Sequence, residues 1–166
     1  MSSPEIARAA RARWYYRDPD APEPNHRRTL SVIALIQRSG EVLLERRRDA
    51  PVWSFIAGMV RDTESLADAL RREVLEETGL VVARFSLFGT FTDPSRIVSY
   101  PDGNVYRVAS FVYLVEVDAL EGLAPSAESE ELRFFPIEDI VLLHMPATQQ
   151  PIVDCVLSNR APPHLD

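Results

Sequence analysis

Three glutamates of this chain stand closest to chemistry. Glu73, Glu76 and Glu77 are spaced i, i+3 and i+4, so on a helix their carboxylates crowd one edge. Like charges at that spacing destabilise a helix by about 0.2–0.5 kcal/mol per pair. They also fall where the last turn would be and face the negative end of the macrodipole, at roughly 0.3–1 kcal/mol each. A sequence that needed only a soluble helix would place lysines there. Two explanations are open. One is a solvated acidic face, partly neutralised by Arg71 and Arg72. The other is a divalent cation. Clustered oxygen donors with no His or Cys nearby favour Mg²⁺ or Mn²⁺ over zinc, and Mg²⁺ completes its shell with water and substrate phosphates. The second explanation points to phosphate chemistry.

The helix that must carry these acids is well specified. Ser65 can cap it, and Asp68 can reach back as the capping-box partner. Leu66, Leu70 and Val74 recur every four residues and form an apolar stripe. Gly79 follows the last turn, where a glycine cap belongs. The spacing predicts a helix over residues 65–78.

The remaining elements read as a mixture of strands and short helices. Ser3-Pro4-Glu5 is a helix start, with a helix expected to run to about residue 15. Residues 18–25 hold three prolines and form an extended loop. Residues 29–37 are rich in β-branched side chains and read as a buried strand, turned at 38–40 onto a hairpin partner over 41–46. Further strands are expected at 53–60, 81–91 and 105–117, an acidic loop at 123–131 and a short strand at 132–135. A helical turn at 137–142 and a final helix at 148–157 close the chain. No regular βαβ alternation is present. The class is therefore α+β, or a mixed sheet sandwiched by helices, in a single domain over 1–166 with an N-terminal helix and a proline-rich loop over 1–28.

Composition narrows the function classes. With 46% hydrophobic and 26% charged residues the chain is globular and long enough to bury a core. Eighteen basic against 25 acidic residues leave a formal charge of −7, which argues against a binder of duplex nucleic acid. Cys155 is the sole cysteine and cannot form an internal disulfide, so a reducing, cytoplasmic setting is expected. Arg8, Arg11 and Arg13 lie among alanines without the apolar run of a signal peptide and read as a solvated helix face. The longest apolar stretches, such as 32–36, are far too short to span a bilayer, so no membrane partner is expected.

Gly58, Glu64, Arg72-Glu73-Val74, Glu76-Glu77, Gly79 and Leu80 match every fixed position of the pattern G-x5-E-x7-R-E-U-x-E-E-x-G-U. This segment resembles the box of the Nudix hydrolase family, and a chance match to so long a pattern is very unlikely. Trp53 ahead of the box, the stretch YYRDPDAPEPN and the downstream TDPSRIVSYPDG extend the resemblance over most of the chain, to a bacterial group of these proteins. The resemblance implies an α/β/α sandwich around a mixed sheet. It implies a pyrophosphohydrolase that cleaves the diphosphate linkage of a nucleoside diphosphate derivative, with Mg²⁺ or Mn²⁺ as cofactor. It also carries the expectation of a homodimer.

Residue by residue, the resemblance makes Glu73, Glu76 and Glu77 metal ligands, joined by the backbone carbonyl of Ala57. Arg72 would orient a glutamate of the set through a charge-assisted hydrogen bond. Glu64 would support the metal network, with first-turn helix stabilisation as its competing role. The catalytic base varies within the family between a box glutamate and an acid on a late loop. Glu128, Glu130 and Glu131 lie on such a loop, and Glu128 is the choice here. Two departures stand out. Ile56-Ala57-Gly58 occupies the place of the usual Pro-Gly-Gly, and Thr63 that of a frequent glycine. Altered loop geometry with metal binding retained is the expectation.

Other residues carry weaker signals. Among Arg46, Arg47 and Arg48 a phosphate contact is assigned to Arg46, against a solvated cluster. Arg96 and Tyr100 lie on the loop where family members recognise base or sugar. Pro94, some fifteen residues past the box, points to substrates of the ADP-ribose type. ADP-ribose or a nucleotide sugar is therefore the favoured substrate. A module that senses a nucleotide metabolite without turnover and a triphosphate-sanitising pyrophosphohydrolase are the alternatives.

Overall fold

The long β-branched run at 29–37 is apolar on both faces, as a strand covered on both sides must be. In the computed structural model, which describes residues 11–158 and 160–166, that run is a central strand. In chain order the elements are β1 (Arg13–Tyr15), β2 (Thr29–Arg38), β3 (Glu41–Arg47) and β4 (Trp53–Met59). Helix α1 (Leu66–Thr78), β5 (Val82–Phe91), β6 (Ile97–Ser99), β7 (Val105–Val117) and β8 (Ser129–Pro136) follow. Two 3₁₀ segments (Ile137–Leu142 and Ala147–Gln149), α2 (Gln150–Leu157) and β9 (His164–Leu165) complete the described chain.

The strands form one mixed sheet in the order β1-β6-β7-β2-β4-β3-β8, with β5 on β7 and β9 on β5. The β2–β7 and β5–β9 pairs are parallel. Alternation along β2 divides the core. Val32, Ala34 and Ile36 pack with Leu43, Ile56, Leu70 and Val74 beneath α1. Ile33 and Leu35 pack with Phe55, Phe91, Val112, Ile140 and Ile152 on the α2 side. Full burial of each such side chain contributes about 1.5–3 kcal/mol. This is the expected α+β sandwich.

Helix α1 keeps the ends its sequence specifies. Asp68 N–H donates to Ser65 Oγ at 3.1 Å, and Ser65 N–H donates to Asp68 Oδ2 at 3.3 Å. Gly79 ends it in the left-handed region, φ 73°.

Four expectations are corrected. Residues 13–15 are strand rather than helix, because pairing with β6 at Trp14↔Val98 overrides the local helix signal. The earlier part of that expected helix, residues 3–10, lies outside the described residues. Strands β6 and β9 were not foreseen; at three and two residues they depend on their neighbours. The acidic loop stops short of 131, because Glu130 and Glu131 belong to β8. A 3₁₀ turn precedes the last helix, which begins at Gln150 with Pro151 in its first turn. Among the described residues no helix is long and apolar enough to cross a membrane.

Candidate active site

Strand β3 pairs with β4 only at Trp53, Ser54 and Phe55. Beyond Phe55, β4 is paired on its β2 edge alone, at Ile56, Ala57, Gly58 and Met59. Helix α1 covers the β2–β4 face, and from it the Arg72 Nη2 reaches the edge that β3 leaves free and donates to the Met59 carbonyl at 3.0 Å. Carbonyls two residues apart on a strand point to the same edge. The Ala57 carbonyl therefore points to the same free edge as the Met59 carbonyl that Arg72 reaches. Ala57 sits in regular strand pairing with Ile33, so this position does not need the usual glycine. Gly58 leaves the space that the Glu73 carboxyl fills: a Cβ there would lie 1.9 Å from the Glu73 Cδ.

A cleft of about 700 Å³ opens at this junction. One wall carries Glu73, Glu76, Glu77 and Arg72, with Ala57, Gly58 and Met59 beside them. Glu128 lines it from the loop before β8. The other end holds Trp14, Val98, Tyr100, Arg96 and Gln149, with the exposed Arg48 and a largely buried Arg47 whose guanidinium is held by Asp49 and Glu45.

Arg72 joins the acids. It meets Glu64 through Nε at 2.5 Å and Nη2 at 2.9 Å. Its Nη1 lies 2.5 Å from Glu73 Oε1 and 3.1 Å from Glu76 Oε2. Hydrogen bonds from Arg72, aided by the Arg61 backbone N–H, pull the Glu64 carboxyl down to about 2. Burial pushes the Glu73 carboxyl above the ordinary glutamate range, against the pull of Arg72. Glu77 accepts a hydrogen bond from Ser126 Oγ at 2.6 Å.

Among the described residues no three His, Cys, Asp or Glu side chains converge as a ready-made metal cage. Glu73 and Glu76 turn to Arg72, and Glu77 turns to Ser126. The donor chemistry nevertheless suits a hard cation. The described lining offers carboxylate and carbonyl oxygens and includes neither His nor Cys. A buried carboxylate whose charged form is penalised gains from a nearby dication.

Most residues singled out by sequence come together here: Ala57, Arg72, Glu73, Glu76, Glu77, Arg96, Tyr100 and Glu128 line the cleft, and Glu64 reaches it through Arg72. Arg46 does not. Its side chain points outward and pairs with Glu130 at 3.2 Å. Side chains alternate along a strand, so the next residue, Arg47, faces the cleft instead. Arg96 is fully buried and donates to the Thr148 carbonyl from Nε at 3.1 Å and Nη2 at 2.9 Å, and to the Phe91 carbonyl. Burial pulls its guanidinium down to about 10.

Sequence reasoning missed Trp14, whose strand is set by pairing with β6 at Val98. It also missed Gln149, held by the Phe55 N–H at 3.0 Å, and the Ser31–Ser110 hydroxyl pair at 2.6 Å on the floor. These sites depend on cross-strand and loop-to-strand contacts that no local pattern carries.

With this geometry in place, residues 25–155 match the NUDIX domain model. An ADP-ribose pyrophosphatase of Methanocaldococcus jannaschii is 30% identical over 114 residues, 67% of this chain and 63% of that protein. The nucleoside triphosphatase NudI of Klebsiella pneumoniae is 30% identical over 118 residues, 66% of this chain and 82% of that protein. The crystal structure of a MutT protein from Methanosarcina mazei superposes with a TM-score of 0.65 at 26% identity, covering 81% of this chain and 96% of that one. The chain thus spans just under two thirds of the archaeal relative. A domain match covering most of the chain, on a fold shared with a solved member, settles the family: this protein belongs to the Nudix family.

Proposed function

We propose that the chain hydrolyses the diphosphate linkage of a nucleoside diphosphate derivative, with ADP-ribose or a nucleotide sugar as the favoured substrate, in a Mg²⁺- or Mn²⁺-dependent reaction. The single observation that carries this reading is the acidic edge of α1 set against the free edge of β4, with Arg72 tying both together. The archaeal relative named for ADP-ribose, similar over two thirds of this chain, supports the substrate class.

Glu73, Glu76, Glu77 and the Ala57 carbonyl would hold the cation. When bound, such an ion neutralises diphosphate charge and makes a bound water more acidic. Arg72 orients Glu73 and Glu76 and anchors them to Glu64 and the β4 backbone. Glu128 takes the proton of the attacking water as it adds in line to one phosphorus. The bond from that phosphorus to the bridging oxygen breaks, and the bridging oxygen leaves with the other phosphate. Arg48, exposed in the lining, attracts the phosphates. Tyr100 and Trp14 give the nucleoside end flat apolar faces, and the buried Arg96 braces the lining through the Thr148 and Phe91 carbonyls. A cytoplasmic setting accords with the lone Cys155.

The triphosphatase relative favours a second reading, in which the substrate is a nucleoside triphosphate. Incubation with a panel of nucleotide derivatives and Mg²⁺ or Mn²⁺, followed by product analysis, separates the readings. A nucleoside monophosphate plus a sugar phosphate supports the first. Release of pyrophosphate or orthophosphate supports the second. Tight binding of every compound without product would leave a sensing module instead.

A further inference from the structure

Glu45 is a buried carboxylate that the proposed chemistry leaves unused. It sits near the end of β3 with 2% of its surface exposed. Burying a carboxylate is costly unless its oxygens are paired and hydrogen-bonded. Here they are. Oε1 accepts from Ser54 Oγ at 3.0 Å and lies 3.4 Å from Arg47 Nη1. Oε2 accepts from Ser129 Oγ at 2.6 Å.

The third contact is the informative one, because Ser129 directly follows Glu128. The β3–β8 register shifts between Arg46 and Arg47, where Arg46 faces Glu131 and Arg47 faces Ser129. Glu130 is the extra residue of this bulge and turns outward to Arg46 at 3.2 Å. Ser129 turns inward to Glu45, and the Arg48 N–H holds the Glu128 carbonyl at 2.9 Å. On its other side the same loop is tied to α1. The Ala124 N–H donates to the Thr78 carbonyl at 3.0 Å, and Ser126 Oγ donates to Glu77 at 2.6 Å. The loop bearing Glu128 is therefore clamped between a buried acid on the sheet and the acidic end of the helix.

We propose that Glu45 is a positioning residue: through Ser129 it fixes the loop that presents Glu128 and Ser126 to the acidic wall of the cleft. This rests on the hydrolase reading above. Glu45 touches neither substrate nor reacting atoms. A serine hydroxyl held by a buried carboxyl oxygen has one preferred direction, so the loop is set before substrate arrives. Arg47, already held by Asp49 at 2.6 and 2.7 Å, is oriented by the same carboxylate.

The test compares wild type, Glu45→Gln and Ser129→Ala by hydrogen exchange of the segment 118–129 and by steady-state kinetics at saturating Mg²⁺. In both variants the segment is expected to exchange faster and kcat to fall by about 10- to 100-fold, with KM nearly unchanged. Ser129→Ala leaves one oxygen of a buried carboxylate without its partner, so it is expected to fold but to melt several degrees below wild type. Should Glu45→Gln fail to fold, Ser129→Ala decides alone. Unchanged exchange overturns the proposal, and so does faster exchange with unchanged kcat. If wild type turns over no nucleotide derivative, the hydrolase reading fails and the catalytic role of Glu45 with it. Faster exchange in the variants then identifies a purely architectural clamp.

Discussion

Arg72 and Glu64 meet as a fork on a fork, with Nε 2.5 Å from Oε1 and Nη2 2.9 Å from Oε2. The same guanidinium serves Glu73, Glu76 and the Met59 carbonyl. A planar group with five donors can bridge that many acceptors; an ammonium with three cannot. Arg72→Lys is expected to keep the fold by circular dichroism and to lower kcat/KM by about 10- to 100-fold, because Glu73 and Glu76 lose their common guide.

The Glu64 carboxyl also makes stability depend on pH. Its folded value of about 2 lies below the ordinary 4.5. A depressed folded value contributes stability above the unfolded value, and that contribution is lost as pH falls from about 4.5 through 2. Melting curves of wild type and Glu64→Gln across this range should differ most at its upper end and converge at its lower end. A gap independent of pH would contradict the assignment.

Gly58 faces a side chain rather than backbone. The Cβ of Gly58→Ala would lie 1.9 Å from the Glu73 Cδ. The carboxyl is the far end of a flexible chain, so the protein is expected to fold and Glu73 to swing away. The Mg²⁺ concentration giving half-maximal rate should rise by about 10- to 100-fold, as when a partner of a metal ligand is lost.

Gly79 is constrained differently. Its φ of 73° disfavours any side chain, and a Cβ would meet the Gly122 carbonyl oxygen at 2.4 Å. The left-handed conformation alone costs Gly79→Ala about 1–2 kcal/mol, and the backbone collision adds to it. Thermal unfolding should begin several degrees lower, roughly 2–4 °C per kcal/mol in a chain of this size.

Much of this was legible because it was local. The Ser65–Asp68 box, the Leu66, Leu70 and Val74 stripe and the Gly79 cap lie within one helix and its ends, and each appears where its spacing placed it. Strand β2 declared itself by a β-branched run that both helical layers cover. What escaped was set between distant segments. The strand at Trp14 exists because β6 pairs with it some eighty residues later. Arg46 and Arg47 exchange roles because the strand period decides which faces the cleft, and a bulge at Glu130 reinforces it. Glu45 reads as an ordinary charged residue until Ser54 and Ser129, from two other strands, close over it.

The central claim is that the acidic edge of α1 works as a cation-dependent catalytic centre. The most direct measurement is the rate of nucleoside monophosphate release from ADP-ribose and nucleotide sugars, with Mg²⁺ and with chelator, for wild type, Glu76→Gln and Glu77→Gln. The expected result is turnover by wild type only with the cation, and a loss of about 100-fold or more in both well-folded variants. Equal rates in chelator, or wild-type rates in both variants, would contradict it.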